Sequence, residues 1–168
     1  MAADLLYFAA QIDHTDAPVL YGAAHTALRG GLSGDPERDR GNYMWLATLQ
    51  SRSGDLDGAV AFLDEASAHW PDNPTFHASA ARLLLKAGRH EDCLKQAERG
   101  LRLAWGDNYL TMAKAKAQAL VALHRTDDAK AFVTEVLAKN EAPGDGVDVR
   151  SHQYRAALQK VVEPPAKK

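Results

Sequence analysis

Small residues recur through the middle of this chain at a constant distance, and that period constrains the fold more than any other feature. Displacing the chain by 34 residues lays Gly54 on Gly88, Ala59 on Cys93, Ala66 on Gly100, Ala47 on Ala81 and Leu46 on Ala80. A third copy follows after a slip of two residues in the AWGDNY connection, so that His124, Ala129, Phe132 and Val136 stand where Gly54, Ala59, Phe62 and Ala66 stood. The period marks an internal repeat.

The repeating unit is helical. Gly, Pro and Asn gather in RGGLSGDPERDRGN, SGD, WPDNP, AGRH, WGDN and APGDG, and between these clusters apolar residues are spaced by three and four, without strand-like alternation. The pattern predicts helices over roughly 2–12, 16–29, 40–53, 56–69, 74–87, 90–104, 108–123, 127–140 and 148–162. Paired helices approach closely only where side chains are short. Ala47, Ala59, Ala66, Ala81, Cys93 and Gly100 are therefore expected at the seams, with Leu46, Phe62, Leu63 and Leu84 filling the space around them. Cys93 is accordingly a small core residue, since nothing beside it in sequence would stabilise a thiolate.

Composition narrows the function classes. A chain of 168 residues with 46% apolar and 25% charged residues suits one domain with a real core, and a formal charge of −2 argues against non-specific nucleic-acid binding. The lone Cys93 cannot form an internal disulfide, and no CxxC or Cys/His cluster suggests zinc or another metal. MAADLLYFAAQIDHTD lacks the charged start and continuous apolar core of a leader, and no stretch reaches the length of a membrane span. The expectation is a soluble, cytoplasmic protein that binds no membrane.

Candidate chemistry does not assemble into a site. In GDLDGAVAFLDEASAHWPDNP, Asp55 and Asp57 sit at a helix start, where carboxylates cap free amides, while Asp57 and Asp64 lie two turns apart and Asp64 and Glu65 diverge around the helix. His14, His25, His69, His77, His90, His124 and His152 are scattered, with no HExxH. GxGxxG, the phosphate-loop pattern and GxSxG are missing. No catalytic residue, metal or cofactor is expected.

Paired helices at a 34-residue period resemble the tetratricopeptide repeat, whose pattern is an aromatic, Leu-Gly, Tyr, Ala, Phe, Ala and Pro. One copy here runs Tyr43, Leu46-Ala47, Gln50, Gly54, Ala59, Leu63, Ala66 and Pro71; the next has His77, Ala80-Ala81, Leu84, Gly88, Cys93, Ala97, Gly100 and Trp105. Gln50 replaces Tyr, Trp105 replaces Pro, and His124 replaces the turn glycine. The implied fold is an all-α solenoid of antiparallel helix pairs. Residues 1–36 form a degenerate N-terminal helical pair and linker, 37–142 form three repeats, and 143–168 form a capping helix and tail. In that helix Val149, Tyr154, Leu158 and Val161 share one side. Trp70 and Trp105, at the ends of successive second helices, are expected to pack on the following repeat or to expose an aromatic edge.

In this family the first helix of each pair lines the concave surface, where peptides lie. Residues 41–53, 74–87 and 108–123 hold Arg52, Arg82, Lys86, Lys114 and Lys116 and no Asp or Glu. The resemblance puts Trp45, Thr48 and Arg52, then Thr75, Ser79, Arg82 and Lys86, then Thr111, Lys114 and Gln118 on the groove. The expected function is an adaptor, assembly factor or secretion-type chaperone, and the cations on these helices point to an acidic segment or C-terminal carboxylate of another protein as the ligand, with Trp45 as an apolar anchor. The Lys/Asn/Asn/Lys/Arg clamp of chaperone-binding members is not reproduced, because Thr48 and Ser79 stand where Asn is expected. Self-assembly into a homo-oligomer, an enzyme, or an accessory domain of one are the alternatives.

Overall fold

Three turns share one backbone geometry at the positions that the period aligns. Gly54, Gly88 and His124 have φ of 99°, 75° and 61°. The following N–H reaches the carbonyl five residues back in each: Asp55 to Gln50 at 3.1 Å, Arg89 to Leu84 at 2.9 Å and Arg125 to Leu120 at 2.9 Å. A residue in the left-handed region closes a helix by satisfying its last carbonyls, and the chain then reverses into the next helix. His124 makes this turn without the glycine that the pattern calls for.

The computed structural model describes residues 2–139 and 149–163, and these form nine α-helices and no strand. They divide into two compact units between Pro71 and Asp72. The first holds α1 (Ala2–Ile12), α2 (Ala17–Gly30), α3 (Pro36–Arg52) and α4 (Leu56–His69), each packed on the next. The second holds α5 (Pro74–Lys86), α6 (His90–Leu101), α7 (Gly106–Ala122), α8 (Thr126–Lys139) and α9 (Val149–Gln159). Within it α7 touches all four of the others. The architecture is the expected all-α array of helix pairs. The expected helix ends at 140 and 148 and the APGDG connection lie outside the described residues.

α3 starts four residues earlier than periodicity suggests, so PERDR is helix and not connection. Asp35 caps it by accepting from Glu37 N at 3.0 Å, with Pro36 preset for the first turn. Asp39, buried on the same turn, accepts from Ser33 N (3.1 Å), Ser33 Oγ (3.0 Å) and Gly34 N (3.0 Å). These bonds tie the α2–α3 connection down and hold the carboxyl below its ordinary value, the Ser33 N–H first among them. α7 likewise starts two residues early, at Gly106.

The small residues sit at the seams. Ala47, Ala59, Ala66, Ala81, Cys93, Ala97, Gly100 and Ala129 are all buried. A Cβ on Gly100 would stand 2.1 Å from Met112 Sδ and 3.0 Å from His77 Cβ, so α5, α6 and α7 converge where only hydrogen fits. Trp70 packs backwards on its own repeat, edge-on to Tyr43 at 5.1 Å, with Nε1 donating to Glu37 Oε1 at 2.7 Å and the Arg40 guanidinium 5.6 Å from its ring. On α9, Leu158 is buried with Leu110, Ala117, Val133 and Val136, and Val161 packs beside them. Tyr154 is exposed, and the side chain of Val149 lies outside those described.

Candidate functional site

In the first unit α3 carries Trp45, Thr48 and Arg52, and tertiary contacts engage Trp45 and Arg52. Thr48 Oγ1 donates back to Met44 O at 2.8 Å. Trp45, 47% exposed, meets Tyr7 of α1 edge-on at 5.1 Å. Arg52 lies 5.5 Å from the Tyr7 ring and 5.3 Å from the Tyr21 ring, and its Nη1 donates to Tyr21 Oη at 3.0 Å. Gln11 Nε2 donates to the same hydroxyl. Arg52 is thus a clasp joining α1, α2 and α3, its charge set against two π faces. No sequence spacing links residues 7, 21 and 52, so this role was invisible before folding.

In the second unit α5 and α7 lie side by side, bringing the remaining candidates onto neighbouring helices. Thr75, Arg82, Lys86 and Thr111 are exposed, and Lys114 and Gln118 half-buried. Ser79, 7% exposed, sits in the packed interior and not on the open face. Thr75 donates its N–H to the Asn73 cap at 3.0 Å, and Thr111 Oγ1 donates to Asp107 O at 2.9 Å. Among the described residues, Arg82, Lys86 and Lys114 make no ion pair. Lys116 instead pairs with Glu98 of α6 at 2.9 Å and lies 4.8 Å from the Phe132 ring of α8, so it belongs to the opposite side of α7.

The full helix lengths change the acid inventory. α3 includes Glu37 and Asp39, and α7 includes Asp107, so of these three helices α5 alone is free of acids. All three are occupied: Glu37 by Trp70, Asp39 by the Ser33–Gly34 turn, and Asp107 by Ser151 Oγ at 2.7 Å. On α4, Asp55 caps the helix, accepting from Gly58 N and Gln50 Nε2, each at 2.9 Å, and the Gly58 N–H chiefly keeps its carboxyl below the ordinary value. Asp57, Asp64 and Glu65 are exposed. No group of three His, Cys, Asp or Glu among the described residues could hold a metal ion. Cys93 is fully buried, and burial pushes its thiol up to about 11, which leaves it inert.

Helix pairs, three equivalent turns and small-residue seams have a counterpart in known sequences: residues 51–117 match the tetratricopeptide repeat family. Over that stretch the chain is similar to tetratricopeptide repeats. Its fold also resembles the crystal structure of a tetratricopeptide repeat protein from Parabacteroides merdae ATCC 43184, with a TM-score of 0.57 and 19% identity over 95% of this chain and 60% of that one. The chain thus spans about three fifths of that protein's length. No curated protein matches it. Tetratricopeptide repeats bind proteins or peptides and are generally non-catalytic. No helix among the described residues of this repeat protein is long and apolar enough to cross a membrane.

Proposed function

We propose that the chain is a protein-interaction module, an adaptor or assembly factor, whose α5–α7 face receives an acidic segment or free C-terminal carboxylate of another protein. The observation that carries this reading is the charge on that face: Arg82, Lys86 and Lys114 lie on adjacent first helices with no ion partner among the described residues, and α5 has no acid. Charge-assisted donors hold a carboxylate more strongly than neutral ones and steer its approach. Thr75 and Gln118 supply neutral hydrogen bonds beside them. The lone buried Cys93 suits a reducing compartment such as the cytoplasm.

The test titrates the chain with a labelled acidic peptide and a basic peptide of equal length. The acidic peptide is expected to bind more tightly, to weaken as salt rises, and to lose about tenfold in affinity in the Arg82→Glu, Lys114→Glu double variant. Equal binding of the two peptides, or an unaffected double variant, refutes the reading.

A further inference from the structure

His25 of α2 reaches across to α4, where its ring meets Phe62 edge-on with centroids 6.4 Å apart. Phe62 is buried and stacks on Tyr43, so the histidine covers an aromatic part of the first unit's core. The His25 ring is half-buried, and its Nε2 is enclosed with no hydrogen-bond partner among the described residues. A buried N–H without an acceptor costs more than a buried lone pair, which places the proton of the neutral ring on Nδ1.

A cation already occupies the same phenyl ring. Arg29, one turn further along α2, has its guanidinium 5.7 Å from the Phe62 centroid. Like charges four residues apart on a helix repel, and a protonated His25 would set two of them against one aromatic quadrupole. The charges acting on His25 are Arg29 and Asp55 at the start of α4; α1 and α3, which pack on α2, add none among the described residues. Arg52 of α3 is turned to Tyr7 and Tyr21. Asp55 attracts the His25 ring through space without bonding it, its oxygens accepting from Gly58 N and Gln50 Nε2. Burial first, and then Arg29, hold the ring below its ordinary 6.5 against the opposing pull of Asp55.

We propose that His25 is an acid-sensitive latch of the first unit. Neutral, it lets α2 close over Phe62; protonated at Nε2, it carries an enclosed charge without an acceptor beside Arg29, so α2 loosens from α4 and uncovers the Tyr43–Phe62 stack. A histidine held below its unfolded value contributes stability that is fully present above that value and is lost as pH falls toward the folded one. Mild acidification spans that window. The latch lies in the first unit and does not depend on the cations of α5 and α7, so either assignment can fail while the other stands.

The experiment uses the full chain. By NMR the His25 ring resonances are expected to titrate with a midpoint below the ordinary 6.5. Hydrogen exchange should show α2 losing at least about threefold in protection between about pH 7.5 and about pH 5.5. His25→Leu keeps an apolar contact with Phe62 and gains no charge, so that loss should disappear in it. A midpoint at or above 6.5, protection in α2 that does not change with pH, or an equal acid loss in His25→Leu overturns the proposal. The titration and the exchange are both read on the parent chain, so the proposal stays open to refutation even where the variant fails to fold.

Discussion

His77 Nδ1 lies 2.9 Å from Gln96 Oε1 in the buried space between α5 and α6. At the same register one repeat earlier, Tyr43 and Phe62 stack with ring centroids 5.0 Å apart. One repeat later Ala113 and Phe132 occupy it within the apolar core. A hydrogen-bonded pair has therefore replaced an apolar one at a conformationally equivalent seam. With Oε1 accepting, the His77 ring carries its proton on Nδ1.

Removing one member of that pair is expected to cost more than removing both. Gln96→Leu leaves a buried donor unsatisfied and should destabilise the chain by about 1–3 kcal/mol, whereas His77→Phe combined with Gln96→Leu should recover most of that loss. Urea unfolding of the four proteins in the cycle gives the coupling, expected at roughly 0.5–3 kcal/mol. Strict additivity of the two single changes would show that the pair does not act as a unit.

His124 holds a positive φ of 61° where Gly54 and Gly88 stand in the other turns. A left-handed conformation costs an L-residue with a side chain about 1–2 kcal/mol, partly offset by the greater unfolded-state entropy of glycine. His124→Gly is therefore expected to stabilise the chain by about 0.5–1 kcal/mol, and Gly54→Ala and Gly88→Ala to destabilise it by about 1 kcal/mol. Thermal melts check both signs; a lower Tm for His124→Gly would mean that the histidine side chain contributes a contact that outweighs its backbone strain.

Asp39 links stability to acid pH. Its folded value lies below the ordinary 3.8, first because Ser33 N–H donates to the ionised form and despite the opposing effect of burial. A depressed carboxylate contributes stability that is fully present above the unfolded value and is lost as pH falls through the folded one. Asp39→Asn should thus lower Tm at neutral pH and flatten the fall in Tm below about pH 4. A parallel acid-side fall in parent and variant would remove Asp39 from the account.

Much of the fold was legible because small residues and turn residues act locally. Ala59, Cys93 and Ala129 recur where paired helices must touch, and Gly54 and Gly88 where the chain must reverse, so the period alone located helix pairs within a few residues. The early start of α3 was not legible by periodicity, since DPERDR is polar throughout; its signal was the Asp35–Pro36 cap. Trp70 turned back onto Tyr43 and Glu37 because three partners on α3 converge there, and no spacing encodes that convergence.

The candidate surface divides the same way. Residue order by itself determined that the first helices are rich in cations and the array all-helical, because charge and periodicity are properties of the chain read in line. Only the tertiary structure decided which cations stay available. Arg52 is held against Tyr7 and Tyr21, Lys116 is drawn to Glu98, and Ser79 is packed inside, while Arg82, Lys86 and Lys114 have no ion partner among the described residues. Such pairings join residues on different helices, and a cation's partner depends on distance in space, which the linear sequence does not contain.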